Sequence, residues 1–451
     1  MGGYGLGPPS PASDRPPSPA SHRRHRPRPA VAVPVPERTS RVTATLIPPA
    51  PARAHRDPNV LRWLGAYTSS MLGDNVFYLA LSWAAVQAGT PAQAGLVMAA
   101  SALPRAVLML GGGVIADRLG PRRVVIGSDA VRCAAVLAVA ALLFLTHPGL
   151  WPLALLACVF GTVDAVFMPA VGALPARITG KDQLARVQGL RGLAIRAASV
   201  VGAPLGGLGV AFGGAPAAFA LAGALIALSI PLLLSVRVRD LPAGTGGGVT
   251  AWADLKAGLR HVRRHRVLGP LMIAIALGDL GFVAPLNVGL TLLADHRGWG
   301  AAGMGWILAG FGTGAGAASL LLAARGRLPR AGLLTGCACT AGSVAVGALG
   351  FVPGLAAAVG TALLVGLLTG LSGALCGALL QTQADPAYLG RVTAVAGLVS
   401  LGLTPLSLPF AAAATGTFGL GPVYAVSAAV CGLGGLVLLA VPALRRAELP
   451  G

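Results

Sequence analysis

The hexapeptide LGDNVF at Leu72–Phe77 returns as LGDLGF at Leu277–Phe282, identical at four of six positions and displaced by 205 residues. Both copies lie inside long apolar runs, so each carries a carboxylate, Asp74 or Asp279, into a stretch poor in polar neighbours. The same displacement pairs Ala173 and Leu174 with Ala378 and Leu379, Leu184 with Leu389, Arg186 with Arg391, Val187 with Val392, and Pro204 with Pro409. One match is within chance, but one register held across four separate runs indicates a duplicated unit. An even number of helices in each copy keeps the two copies parallel across a membrane.

Apolar runs near 20 residues recur from Arg62 onward, long enough to cross a hydrocarbon core of about 30 Å at about 1.5 Å per residue. The reading gives twelve, at approximately 62–86, 92–116, 124–146, 150–174, 187–211, 215–236, 268–293, 300–323, 331–350, 355–380, 391–414 and 420–443. The composition agrees: of 451 residues 55% are hydrophobic and 11% charged, and mean hydropathy is +0.75. Soluble domains carry roughly 25% charged residues, so a water-soluble enzyme is excluded. The net charge of +20 does not point to nucleic acid, because it falls in the N-terminal tail and in short loops between apolar runs.

Basic loops are retained on the cytoplasmic side. The even-numbered connections hold Arg118, Arg122 and Arg123, then Arg177 and Lys181, then Arg237, Arg239, Lys256, Arg260, Arg263, Arg264 and Arg266, then Arg325, Arg327 and Arg330, then Arg391, whereas the odd-numbered ones hold only Arg297. Both termini are therefore expected in the cytoplasm. Residues 1–60 hold 14 of the 35 Pro and nine Arg against three acids, which reads as a disordered basic tail. No apolar core of about 7 to 15 residues precedes Val60, as a secretory signal would need. The connection 237–267 divides the spans six and six. It passes from a GTGGG run into AWADLKAGLRHVRRHRVLG, where Trp252, Leu255, Leu259 and Val262 recur at helical spacing opposite a basic face, the pattern of an interfacial helix. The expected organisation is a tail at 1–60, bundles at 61–236 and 268–446, the linker between them and a short tail at 447–451. The six Cys lie in apolar stretches without zinc-ligand spacing, so neither a disulfide framework nor a metal is expected.

Between the second and third spans, GVIADRLGPRR (Gly113–Arg123) resembles the signature loop of the major facilitator superfamily: a Gly, then Asp-Arg four residues on, then Gly and basic residues. It departs at Pro121, leaving Arg122 and Arg123 to supply the charge one position late. AARGRLPR (Ala323–Arg330) keeps the basic residues of a second copy and lacks the Asp. GAPLGG (Gly202–Gly207) is similar to the Gly-Pro motif of the family's exporters, with Pro204 shifted by one position and Gly206 following. SSMLGDNVFYLALSW, FMPAVGALPARI and LGRVTAVAGL resemble the subgroup of macrolide and enterobactin-type siderophore exporters. The resemblance implies two six-helix bundles with spans 1, 4, 7 and 10 around a central cavity. It also implies a cytoplasmic gate in which Gly113, Asp117, Arg118, Gly120, Arg122 and Arg123 close against the start of span 11 near Arg391.

An ionisable side chain at mid-membrane costs at least about 2.5 to 3.5 kcal/mol and is a functional candidate by default. Four acids lie within spans, namely Asp74, Asp129, Asp164 and Asp279; four Arg lie within spans or at their edges, namely Arg105, Arg132, Arg191 and Arg196. Asp74 stands 12 residues from Arg62 and Arg105 stands 12 from Asp117, each about 18 Å deep, which predicts an Asp74–Arg105 pair. Asp164 and Arg196 lie at depths of about 20 and 15 Å, which predicts a second pair. Asp129 and Arg132, three apart, satisfy each other on one helix face. Asp279 has no basic residue at its depth on spans 8 to 12, so desolvation favours its neutral form. By the resemblance Asp279, Asp74 and Asp164 surround the cavity as proton-coupling candidates; their bland alternative is service as structural hydrogen-bond acceptors. Arg105 and Arg196 either compensate buried charge or hold an anionic group of the cargo.

The expectation is a proton-coupled exporter of small amphipathic or hydrophobic compounds in a bacterial cytoplasmic membrane, working as a monomer on small molecules and protons, without cofactor, metal or nucleic acid. A metabolite importer or uniporter, and a sensory or scaffolding protein that has lost transport, stay open. No GxxxxGK phosphate-binding loop occurs, so ATP hydrolysis is not expected within this chain.

Overall fold

Helix boundaries follow from a few local residues. Pro58 and Pro121 stand in the first turn of their helices, where a missing N–H is no loss. Asp57 accepts the backbone N–H of Asn59 at 2.8 Å. Thr90 and Gln93 cap reciprocally, with Thr90 N–H donating to Gln93 Oε1 at 2.9 Å and Gln93 N–H to Thr90 Oγ1 at 3.3 Å, a capping box. The computed structural model describes residues 57–146, 149–180, 183–238, 251–325, 330–385 and 388–447. Most of the basic tail, the GTGGG run and Lys181 lie outside the described residues.

The elements are α1 (Pro58–Ala88), α2 (Pro91–Leu119), α3 (Pro121–Leu145), α4 (Trp151–Ile178), α5 (Leu184–Ser235), α6 (Ala251–Arg264), α7 (Leu268–Ala284), a π turn (Pro285–Gly289), α8 (Leu290–His296), α9 (Gly300–Arg325), α10 (Ala331–Leu349), α11 (Leu355–Gln383), α12 (Leu389–Phe418), α13 (Leu420–Ala440) and α14 (Pro442–Arg445). No strand occurs among the described residues. Ten helices among them are long and apolar enough to cross a membrane. The 52-residue α5 is counted once there, although Gly213 and Gly214 leave helical geometry, Gly214 at φ +69°. That position favours Gly, and it falls between the fifth and sixth expected spans. The 31-residue α1 is not among the ten; its Arg62, Asp74, Asn75 and serines lower its hydropathy.

Packing repeats on the two sides of α6. In the first set α1 and α3 pack on α5, while α4 packs on α2 and α3; in the second, α7 and α10 pack on α13, while α11 packs on α9 and α10. Two crossings join the sets, α5 with α9 and α2 with α12, and they correspond under the 205-residue displacement. Between α1, α4 and α5 the core is built on Phe77, stacked on Phe160 at 3.6 Å and tilted against Phe219 at 6.1 Å between ring centroids. Outward-facing side chains are also apolar: Phe144, Phe212 and Phe410 are 80%, 88% and 75% exposed. In water such a surface would associate; against lipid tails it has no such penalty.

The helix expected in the linker exists as α6, whose Trp252 and Leu255 side chains are outside the description. It also docks on protein. Val262 is 3% exposed, the His261 ring stacks on Tyr388 at 4.5 Å, and a Cβ on Gly258 would meet the Arg391 carbonyl at 2.9 Å. His265 Nδ1 accepts the N–H groups of Val267 and Leu268, each at 3.2 Å, so it caps the otherwise unsatisfied first turn of α7. Burial, and then the charge of His261, lower its pKa from the ordinary 6.5. The cap's contribution is fully present above about pH 6.5 and is lost as pH falls through the lower folded value. The exchange protection of Val267 and Leu268, corrected for the intrinsic pH dependence of amide exchange, should therefore fall on acidification in the wild type. Protection in His265→Asn, whose carbonyl accepts at any pH, should stay flat; the same fall in that variant would dismiss the cap.

Candidate functional site

Arg132 on α3 has no exposed surface, and its guanidinium gathers three carboxylates from three helices. Nη1 donates to Asp74 Oδ2 and Oδ1 at 2.9 and 3.0 Å and to Asp164 Oδ1 at 3.3 Å. Nη2 donates to Asp129 one turn away and to Ser70 Oγ at 3.3 Å. The guanidinium lies 4.0 Å from the Phe167 ring centroid, a cation–π contact. Asp129 also accepts the hydroxyls of Ser229 and Ser70, the latter at 3.1 Å, and Tyr78 donates to Asp164 Oδ2 at 3.0 Å. Arg105 Nη1 stands 3.9 Å from Asp164 Oδ2, with its side chain 24% exposed. Buried ions need partners of this quality, and here three carboxylates face two guanidiniums.

The expected pairs are therefore corrected. Arg105 stands beside Asp164, Asp74 belongs to Arg132, and among the described residues Arg196 pairs with neither Asp74 nor Asp164. Depth along the chain gives the layer of a residue but not the direction its helix face points. α1 packs chiefly on α5, and α2 on α4, so Arg105 meets α4 rather than α1. Asp129 and Arg132 do satisfy each other, yet Arg132 has donors left over for its neighbours. Its sharing by three acids, together with Ser70, Tyr78 and Ser229, was missed by sequence reasoning; the only available signal was a fourth intramembrane Arg one turn beyond an Asp.

Two cavities adjoin this layer. The smaller, of about 510 Å³, is lined by Asp74, Asn75, Tyr78, Arg105 and Asp164 from the first set and by Asn287 of the π turn. The larger, of about 710 Å³, is lined by Asp279 and Phe282 of α7, Arg196 of α5, Thr369 and Gln381 of α11, and Ser400 of α12. Phe311 of α9 lines both. Helices of spans 1, 4, 7 and 10 contribute, joined by α2, α5, α9 and α12. Asp279 and Ser400 both line the larger cavity, and Asp279 Oδ2 is buried without a partner. Arg196 shares this cavity from the other helix set, a neighbour that a search confined to spans 8 to 12 could not find.

The motif residues are placed as follows. Gly120, at φ +85°, makes the turn between α2 and α3, a conformation open to Gly. Arg122 Nη2 donates to the Leu234 carbonyl at 2.6 Å, where a cation meets the C-terminal dipole of α5; it is tied within the first helix set, not to α12. Arg118 and Arg123 are exposed, and the side chain of Asp117, like the surroundings of Gly113, is outside the description. In α5 a Cβ on Gly202 or Gly206 would meet Asn75 Cβ at 2.7 Å or Val76 Cα at 3.2 Å, and one on Gly207 the Ala301 carbonyl at 2.5 Å. Pro204 Cα lies 3.1 Å from a Cβ built on Gly305. The motif's small residues thus let α5 approach α1 and α9 together.

A profile described as Major Facilitator Superfamily matches residues 63–403. The chain belongs to that superfamily. Its relatives include the enterobactin exporter EntS of Shigella boydii serotype 18 and of Escherichia coli O139:H28, each 27% identical over 365 residues, 78% of this chain and 84% of theirs. Among solved structures, the nucleoside transporter NupG superposes with a TM-score of 0.66 at 10% identity, over 86% of this chain and 100% of its own. A bacterial homologue of the lysosomal transporter Spinster, inward-facing and occupied, gives 0.66 at 14% identity over 86% and 95%. These structures share the superfamily fold. Multi-pass membrane transport of a small molecule follows from membership.

Proposed function

We propose that this member of the superfamily is a proton-coupled exporter of small amphipathic or hydrophobic compounds, acting as a monomer in a bacterial cytoplasmic membrane. It crosses the membrane twelve times, with both termini in the cytoplasm and bundles at 61–236 and 268–446 rocking about a shared cavity. The supporting observation is the buried network in which Asp74, Asp129 and Asp164 face Arg132 and Arg105. With every group ionised it carries one excess negative charge, and one proton on Asp74 or Asp164 balances it. Both lie at the wall of the smaller cavity, where hydration and cargo reach them. Asp279, with its unpartnered oxygen, is the third candidate carrier. Export is the direction favoured by the EntS relatives, and no catalytic step is assigned to any residue.

Everted vesicles containing the full chain test this, with a pH-reporting dye and a panel of macrolides, siderophores and cationic dyes. Proton release with one compound is expected. Asp164→Asn and Asp74→Asn should keep exchange between equal proton potentials and lose uphill export by roughly 10²-fold, the lower range of a positioned proton-transfer group. Unchanged uphill export in Asp74→Asn, Asp164→Asn and Asp279→Asn alike would remove proton coupling from these carboxylates.

A further inference from the structure

We infer that the larger cavity is built for a zwitterionic amphiphile, whose cationic group pairs with Asp279 and whose anionic group pairs with Arg196. The inference rests on the transport reading above and names its substrate class. Every carboxylate of the buried network has a guanidinium within 4 Å, but Asp279 has no cation within ion-pair distance among the described residues, and its Oδ2 is buried with no hydrogen-bond partner. Arg196 likewise has no carboxylate within that distance among the described residues, yet it lines the same cavity. The buried, unpartnered Oδ2 of Asp279 is costly until a partner arrives, and Arg196, exposed on the cavity wall, presents a cation to the same space. Here two lone charges of opposite sign share one space of about 710 Å³. A ligand supplying a single charge satisfies one of them and leaves the other bare.

The rest of the lining agrees. Phe282 and Phe311 offer apolar area, while Thr369, Ser400 and Gln381 offer hydrogen bonds. This mixture of apolar wall and few polar groups suits an organic molecule. The two charges also come from different helix sets, Arg196 from α5 and Asp279 from α7. A zwitterion therefore contacts both sets at once, and a ligand shifts a conformational equilibrium only by contacts that differ between states. Asp279 then discriminates cargo as well as standing among the candidate proton carriers.

Calorimetry on the full chain in lipid nanodiscs tests the assignment with four probes: the dipeptide phenylalanyl-phenylalanine, its N-acetyl form (anion), its C-terminal amide (cation) and the doubly capped neutral form. The free dipeptide should bind the wild type roughly tenfold more tightly than either singly capped form, about 1.4 kcal/mol. In Asp279→Asn the free dipeptide and the N-acetyl form should become equivalent; in Arg196→Gln the free dipeptide and the amide should. Asp279→Glu, which keeps the charge, should preserve the wild-type ranking and so separates lost recognition from lost folding. Equal affinity for all four probes, no detectable binding of the free dipeptide to folded protein, or an unchanged ranking in either neutral variant would overturn the assignment. Proton-linked export without zwitterion preference would sink this inference alone, whereas zwitterion preference without proton-linked movement would sink the transport reading and leave the site standing.

Discussion

Arg132→Met should leave little folded protein in the membrane. The side chain is fully enclosed and holds Asp74, Asp129 and Asp164 together. Its removal leaves three carboxylates with only Arg105, whose Nη1 is 3.9 Å from one of them. Breaking a buried ion pair by deleting one partner costs about 3 to 5 kcal/mol, a large share of a total stability of about 5 to 15 kcal/mol. Protonation of the stranded acids recovers part of that, so the loss should ease at low pH. Arg132→Lys should fall between, because an ammonium carries the charge but cannot present the two-armed fork that reaches Asp74 and Asp129 at once. Asp74→Asn should be much milder, since it removes the excess negative charge and keeps the cation. The fraction eluting as a single species in detergent, and its thermal midpoint, measure all three. An Arg132→Met midpoint within about 2 °C of wild type, the shift of less than 1 kcal/mol, would mean that the network contributes nothing to folding.

The contrast between Asp74 and Asp279 shows where sequence reading reaches its end. They occupy equivalent positions of the two hexapeptides, and that equivalence correctly announces a duplicated helical unit. Their chemistry has diverged completely: Asp74 is bound by a buried Arg132, while Asp279 keeps an oxygen unpartnered. The displacement takes Arg132 to Cys337, an exposed thiol with no charge, so the second copy has lost its cation. That much is legible by alignment of the halves. What no count along the chain yields is azimuth, which is why counting assigns Arg105 and Arg196 a level along their helices but not their partners. The break at Gly213 and Gly214 was legible because paired glycines interrupt an apolar run. The π turn at Pro285–Gly289 was not, because its residues are as apolar as those around them, and its consequence, Asn287 turned toward the smaller cavity, is equally hidden.

Gly207→Val combined with Gly305→Val should reverse which face of the protein is sealed. On the face opposite the basic loops, α5 crosses α9 with backbone almost touching backbone. A Cβ on Gly207 would lie 2.5 Å from the Ala301 carbonyl, and one on Gly305 would lie 2.7 Å from that of Ala203. Gln87 donates to Asp295 at 2.6 Å and Ser82 bonds Thr291 on the same side, so three contacts between the helix sets close this end. The larger cavity lies nearer the other end, along the first turns of α12 and the last turns of α11, and reaches the middle and last turns of α7. Overpacking costs about 1 to 3 kcal/mol per site, hence about 2 to 6 for the pair, and about 5.5 kcal/mol carries a two-state balance from 1:99 to 99:1. The double variant therefore supplies from about a third to all of that change, while each single variant moves it less. Met304, 2% exposed beside the smaller cavity, reports the outcome as Met304→Cys in a background without the six native thiols. A membrane-impermeant maleimide added on the sealed side should label almost none of it in the parent and a clearly larger share in the double variant. Labelling that stays low in a folded double variant would mean that the α5–α9 crossing is not the seal, and that Gln87, Asp295 and their neighbours hold this face closed without it.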